Sequence, residues 1–336
     1  MSAQVLRAEG EDVRPEWAEP ISSQLDFVER TLESAIVSDV SAAFDVAMQL
    51  VCAGGKRIRP ALVLLSALAS ARDFDDHGAA GVSAAVELIH MASLIHDDVV
   101  DETDQRRGAP TAHTRWGSKV SVLGGDYLLS KAFTLIAVAD QGIIRVLSDV
   151  AVKMTESELL QATSEGNITL WEKNYHRIIR DKTAWFMGGC CECGAIVANA
   201  GREMTDALRD YGVQLGLAFQ ITDDVLDITG DPALTGKEVG TDILHGKFTL
   251  PVLIAARTLE ADRKKALWEL LNKPALTDSE ASEVAAIAAG CGAVEQARQI
   301  ALDYASKAGQ CLKLLPPSDY TSALEALTTF VTGRKS

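Results

Sequence analysis

Apolar residues in this chain recur at three- and four-residue spacing almost from end to end, which is the pattern of amphipathic and buried helices. The stretches 21–51, 59–72, 78–100, 118–139, 142–165, 176–200, 203–228, 247–272, 279–290, 292–313 and 318–332 are each predicted to be helical. Alternating β-branched runs and Asn-Gly hairpin signals are missing, so no sheet is expected. Glycines and prolines fall between the stretches, at Gly54-Gly55, Gly108 with Pro110, Gly124-Gly125, Gly201, Gly230 with Pro232, and Pro316-Pro317, where helices stop. No repeat of fixed period and no low-complexity linker divides the chain. The pattern therefore predicts a flexible segment over 1–20 and one large all-α domain over 21–336.

Composition removes several functions. At 336 residues and 47% hydrophobic, the chain is too apolar to be disordered. Its 32 basic and 47 acidic residues give a net charge of −15, against a nucleic-acid binder and against a polybasic lipid anchor. Apolar runs such as Ala61–Ala71 are about half the length a bilayer needs, and the start MSAQVLRAEGEDVRPEW has no signal-peptide core. A cytoplasmic protein with no membrane span is expected. Six cysteines lack a repeated spacing, so no disulfide framework is read. Cys190-Cys191-Glu192-Cys193 lies among Gly188, Gly189 and Gly194, which favours a small-residue packing face over a metal tract.

The chemistry concentrates in His96-Asp97-Asp98-Val99-Val100-Asp101-Glu102-Thr103-Asp104, where five carboxylates follow an apolar helix. Asp97 and Asp101 are four apart and share one helical face. They lie at a helix C-terminus, where the macrodipole already disfavours negative charge. The segment is either a solvated acidic turn or a cation site. Carboxylate oxygens suit the hard ion Mg²⁺. The feature recurs 126 residues later in Phe219-Gln220-Ile221-Thr222-Asp223-Asp224-Val225-Leu226-Asp227, with Asp231 beyond. Two such helices facing each other across a bundle would make one metal site, and Mg²⁺ held by a few carboxylates takes its remaining ligands from water and phosphate. Local cations answer the acidic balance: Lys56, Arg57 and Arg59 in Gly54-Gly55-Lys56-Arg57-Ile58-Arg59-Pro60, then Arg106-Arg107, Lys182, Lys237 and Lys247. Arginine suits bidentate contact with phosphate, and lysine supplies a point charge.

These residues resemble the trans-isoprenyl (polyprenyl) diphosphate synthase family, medium- to long-chain type. The match runs in order through GGKRIRP (54–60), ELIHMASLIHDDVVD (87–101), RRGAPTAH (106–113), GGDYLL (124–129), KTA (182–184), FQITDDVLD (219–227) and GKEVGTDILHGKFTLP (236–251). The resemblance implies a helical bundle of the isoprenoid synthase type around a central cavity, working as a homodimer. It implies Mg²⁺-dependent, head-to-tail condensation of isopentenyl diphosphate with an allylic diphosphate (geranyl, farnesyl or geranylgeranyl). Asp97 and Asp101, supported by Asp98, would hold Mg²⁺ on the allylic diphosphate, with Asp223, Asp224 and Asp227 on the second lip. Arg106, Lys182 and Lys237 would contact the allylic diphosphate, and Lys247 matches a further basic, substrate-binding position of the motif. Lys56, Arg59, His90 and Arg107 would hold isopentenyl diphosphate, and Lys182, Thr183 and Gln220 would face the forming allylic cation.

The growing product would run beside the helix ending at Asp97. Ser93 and Ala92 lie about 6–7.5 Å before that residue along the axis, and both are small, where short-chain members of the family carry a bulky aromatic. An octaprenyl or nonaprenyl product is therefore expected, with the floor at Leu128, Phe133 or Ile136. Alternatives are a geranylgeranyl or farnesyl synthase, or a partner-dependent subunit of such an enzyme. A terpene cyclase would not need GGKRIRP, and a di-iron bundle protein would repeat Glu-x-x-His, which occurs only at Glu87–His90.

Overall fold

The computed structural model describes residues 15–52, 54–71, 74–106, 109–230 and 239–334. A 3-10 turn over Glu16–Ile21 leads into α1 (Ser22–Ala35) and α2 (Ser41–Cys52). Then come α3 (Ile58–Ser70), α4 (Asp76–Val100), the two-residue strands β1 (Gln105–Arg106) and β2 (Ala109–Pro110), α5 (Ala112–Trp116) and α6 (Ser118–Ile136). Next are α7 (Gln141–Ala162), α8 (Ile168–Ile179), a π-helical turn over Arg180–Ala184, α9 (Trp185–Val197) and α10 (Arg202–Thr229). The chain closes with α11 (Thr241–Leu244), α12 (Leu250–Thr258), α13 (Ala261–Leu271), α14 (Asp278–Gly290), α15 (Ala293–Cys311) and α16 (Asp319–Gly333).

Several boundaries differ from the sequence expectation. The described residues begin at Pro15, and Trp17, Ala18 and Ile21 are already buried. The run 21–51 is two helices, broken where the Ser38 hydroxyl accepts from the Val40 amide. The run 247–272 divides at Leu259-Glu260, and α8 starts eight residues before the predicted 176. The chain divides into two compact units interleaved along its length.

The first unit comprises residues 1–147, 190–206 and 315–324. Helix α4 is its centre, packed by α1, α3 and α6. Asp75 caps its start by accepting from the His77 amide, a stabilising N-cap contact. By length and apolar composition α4 alone among the described helices could cross a membrane, yet 72% of its apolar window is buried. The Gly124-Gly125 pair lets α6 approach closely: a Cβ on Gly124 would lie 2.5 Å from Val46 Cγ1, and one on Gly125 would lie 2.3 Å from His96 Nε2. His96 meets the Val122 carbonyl at 3.2 Å, next to the first carboxylate segment. Cys190, Cys191 and Cys193 are fully buried in this unit, and a Cβ on Gly194 would lie 2.2 Å from the Val63 carbonyl oxygen, as a packing face requires.

The second unit comprises residues 148–189, 207–314 and 325–336. Its core joins Trp171, Tyr175 and Ile178 of α8 to Ile221 and Val225 of α10 and to the apolar faces of α12–α15. Thr277 and Glu280 form a reciprocal capping box at the start of α14.

Candidate active site

In the first unit, α4 delivers the carboxylates. Asp97 and Asp101 are half-exposed on one face, whereas Asp98, about 100° around the helix, is buried. Glu102 follows in the left-handed region at φ 50, a costly conformation for a residue with a Cβ. This reversal starts the β1–β2 hairpin, whose closure uses the Thr111 amide on the Asp104 carbonyl at 2.9 Å. The hairpin returns Arg106 to α4, where its Nε and Nη2 donate to Asp98 Oδ1 at 2.9 and 2.8 Å. Asp98 is therefore turned away from the Asp97–Asp101 face and grips Arg106.

Of the GGKRIRP cations, Lys56 is exposed and Arg59 half-buried. Arg57, which the sequence reading did not assign, anchors the segment. Its Nε donates to Glu29 at 2.6 Å and its Nη1 to Glu87 at 2.8 Å. Burial disfavours its charge, but Glu87 and Glu29 more than offset that and hold it above the ordinary arginine range. The pair of carboxylates ties the segment to α1 and α4. His90, also on α4, is half-buried, and its carbonyl accepts from the Ser93 hydroxyl at 2.8 Å. Ala92 is buried. Among the residues expected at the floor, Leu128 and Ile136 are buried, but Phe133 is 43% exposed and so lies on the outer face of α6.

In the second unit, α10 repeats the arrangement: Asp223 and Asp227 are half-exposed and Asp224 is buried. Tyr175 of α8 donates to Asp224 Oδ2 at 2.5 Å, the Leu250 amide donates to the same oxygen at 3.3 Å, and Gln220 Nε2 donates to Oδ1 at 3.3 Å. Burial pushes the Asp224 carboxyl up to about 7, opposed in part by the hydrogen bond from Tyr175. Burial and Asp224 raise the Tyr175 phenol well above its usual range, so it remains a donor.

Thr183 and Lys182 sit in the π-helical turn, a local distortion frequent at functional sites. Tyr175 and Thr183 are eight residues apart, which in an uninterrupted helix would separate them by about 80°. One residue inserted by the π-turn reduces this to about 20°, so both meet α10. The Thr183 hydroxyl donates to Gln220 Oε1 at 2.9 Å. Lys182 pairs with Glu158 at 2.6 Å. Gly216 lets α10 close on this turn, since a Cβ there would lie 2.4 Å from Ala184 Cα. Lys247 is half-buried, with its amide on the Asp242 carbonyl at 2.8 Å. Arg334 of the C-terminal segment was also unforeseen: it donates to Asp223 Oδ1 at 2.9 Å and stacks 3.9 Å from the Phe219 ring centre. Arg107, Asp231 and Lys237 lie outside the described residues.

Among the described residues no three or more His, Cys, Asp or Glu side chains come together as a group that could hold a metal ion by themselves. Half-exposed aspartates paired one helical turn apart instead fit Mg²⁺, which keeps waters and takes phosphate oxygens beside one or two carboxylates.

A family model described as polyprenyl synthetase matches residues 41–288. A short chain isoprenyl diphosphate synthase of Methanothermobacter thermautotrophicus is 40% identical over 315 residues, covering 91% of this chain and 95% of the relative. An octaprenyl diphosphate synthase of Haemophilus influenzae is 36% identical over 303 residues, covering 89% and 91%. The crystal structure of a polyprenyl synthase from Caulobacter crescentus CB15, complexed with calcium and isoprenyl diphosphate, superposes with a TM-score of 0.91 at 34% identity, over 98% of this chain and all of that one.

Proposed function

The chain belongs to the polyprenyl synthetase family, is a prenyltransferase of the all-α isoprenoid synthase fold that elongates trans-polyprenyl chains, and from that premise we propose a magnesium-dependent synthase of octaprenyl or nonaprenyl diphosphate. The observation that carries the site assignment is the repeated pattern on α4 and α10. Each helix ends in a half-exposed pair of carboxylates with a buried third between them. We assign Asp97, Asp101, Asp223 and Asp227 to magnesium, which when bound supplies positive charge to a departing diphosphate.

The chain's own residues do the rest. Arg106, Lys182 and Lys247 hold the allylic diphosphate, with Lys237 assigned alongside them. Lys56, Arg59 and His90, with Arg107, hold isopentenyl diphosphate. Arginine and lysine fixed before the reaction stabilise the developing negative charge without reorganising. Thr183 and Gln220 turn polar oxygen towards the allylic carbon as it becomes cationic. Apolar walls keep water from the cation. Isopentenyl diphosphate attacks through its double bond, and a proton leaves the new chain.

Small residues at the chain wall support a long product, since Ala92 is buried and Ser93 leaves room for methylene groups. The Haemophilus relative, named as an octaprenyl synthase, supports the same reading. The Methanothermobacter relative, named as a short-chain enzyme, favours the second one, geranylgeranyl or farnesyl diphosphate. We further place the protein in the cytoplasm as a homodimer. Six free thiols support a reducing compartment, and exposed Leu123 and Phe133 on α6 support a partnered face.

The test is product sizing. With Mg²⁺, labelled isopentenyl diphosphate and farnesyl diphosphate, the dephosphorylated ladder ends near eight or nine units, and Ala92→Phe shortens it. A ladder stopping at three or four units in the unsubstituted enzyme overturns the long-chain reading and leaves the second.

A further inference from the structure

Thr183 and Gln220 are useful to a cation only if they present oxygen lone pairs and not hydrogens. A hydroxyl and an amide can each turn either end towards a ligand, so something must fix their sense. The hydrogen bonds of the second unit contain such a device. Tyr175 O–H, the Leu250 N–H and Gln220 Nε2–H all run into the carboxylate of Asp224, at 2.5, 3.3 and 3.3 Å. Its Oδ2 accepts from Tyr175 and Leu250 and its Oδ1 faces the Gln220 amide nitrogen, so all three contacts end on acceptor oxygens. It therefore pulls the amide nitrogen of Gln220 towards itself and leaves Oε1 pointing the other way. Thr183 answers that oxygen by donating its one hydroxyl hydrogen, at 2.9 Å. Every hydrogen in the chain is directed towards Asp224. At the far end the Thr183 oxygen has spent its hydrogen and keeps only lone pairs.

We propose that buried Asp224, held by Tyr175, is a positioning residue that orders this chain and so turns the lone pairs of Thr183 and Gln220 towards the allylic cation. This rests on the prenyl-transfer reading above. It assigns the second aspartate of the α10 segment a task distinct from that of Asp223 and Asp227, its half-exposed neighbours. It also explains why a tyrosine hydroxyl is buried here: without it Oδ2 would keep only the longer Leu250 contact, and the carboxylate would be less firmly held against α8. The π-turn at Arg180–Ala184 serves the same end by bringing Thr183 into phase with Tyr175.

Asp224→Asn is the sharpest probe, because it is nearly isosteric but can donate. An asparagine amide facing Gln220 allows that side chain to flip, which frees the Thr183 hydrogen to point at the cation. The expected result is a fall in kcat of about 10- to 100-fold, with KM for both diphosphates within about twofold and an unchanged melting temperature. An allylic substrate bearing fluorine beside the ionising carbon, which destabilises the cation, should be penalised more steeply by the variant than by the parent. Tyr175→Phe, which keeps two of the three donors on Asp224, should lose only a few-fold. Unchanged kcat, a loss confined to KM, or an equal fluorine penalty in variant and parent overturns the proposal. Should Asp224→Asn fail to fold, Thr183 decides. Thr183→Ser keeping kcat while Thr183→Val loses it supports the ordered chain, and equal losses overturn it. Each assay carries the parent enzyme, and absence of incorporation by the parent would sink the prenyl-transfer reading instead.

Discussion

Replacing glycine by alanine inside a helix normally stabilises a protein, by about 0.5–1 kcal/mol, because alanine loses less backbone entropy. Two glycines in this chain should respond with opposite sign. At Gly81, in the second turn of α4, a Cβ would meet nothing within 4 Å. At Gly216, in α10, it would lie 2.4 Å from Ala184 Cα, 3.0 Å from its Cβ and 3.2 Å from its amide nitrogen. The nearest of these is about 1 Å inside ordinary van der Waals contact, and the obstacle is backbone, which cannot swing aside. Overpacking of this kind costs about 1–3 kcal/mol, and a rigid obstacle places it near the upper end. Set against about 1 kcal/mol of helix propensity, Gly216→Ala should destabilise by about 2 kcal/mol. For a chain of this size that is a melting temperature lower by about 3 °C, whereas Gly81→Ala should raise it by about 1 °C. The same clash would push the π-turn from α10 and lengthen the Thr183–Gln220 hydrogen bond, so kcat should fall with stability. Differential scanning calorimetry beside incorporation kinetics reads both. If Gly216→Ala melts higher than the parent, as Gly81→Ala should, the tight packing of α10 on the π-turn is refuted.

Three further outcomes follow from the same geometry. Arg334→Gln removes a cation from Asp223, and since partly exposed pairs contribute up to about 1 kcal/mol, the half-saturating Mg²⁺ concentration should drop about two- to fivefold. An unchanged value in a magnesium titration would deny the competition. Burial pushes the Cys191 thiol up to about 12 and raises Cys190 and Cys193 as well. A thiol-specific chromogenic reagent should therefore titrate at most Cys52, Cys291 and Cys311 in the folded protein and all six after unfolding. Hydrogen bonds from Lys273 and Thr277 lower the Glu280 carboxyl from 4.5 to about 2. A depressed carboxyl stabilises the fold above its unfolded value and loses that contribution as pH falls through the folded one. The melting-temperature gap between parent and Glu280→Gln should thus be fully open above about pH 4.5 and close towards pH 2, and a gap independent of pH would contradict the capping box.

How much of this could be read from residues alone depends on the distance over which each feature acts. The two carboxylate segments were legible because i, i+4 spacing fixes a shared helical face within one turn. So was the difference between outer and middle aspartates in principle, since the middle one must point about 100° away. What the middle one meets was not legible. Asp98 finds Arg106 only because Glu102 takes a left-handed conformation, and Asp224 finds Tyr175 across 49 residues of sequence. Arg57 looked like one cation among three, and its partners Glu29 and Glu87 lie 28 and 30 residues away. The break after α1 carries no glycine or proline, and exposed Val37 and Val40 continue the apolar pattern through it. The 43% exposure of Phe133 was hidden for the same reason: apolar character does not say which side of α6 a residue occupies. The π-turn at Arg180–Ala184 leaves no mark in composition, because it is a shift of phase and not of residue type.

We propose above that half-exposed Asp97, Asp101, Asp223 and Asp227 serve magnesium-dependent prenyl transfer. Incorporation of labelled isopentenyl diphosphate into an allylic primer, with and without Mg²⁺, tests it most directly when the parent is run beside Asp97→Ala and Asp223→Ala. The parent should elongate only with Mg²⁺ present, and kcat should fall by about 10²- to 10³-fold in each variant. Incorporation by the parent that ignores Mg²⁺, or variants that elongate at the parental rate, would contradict it.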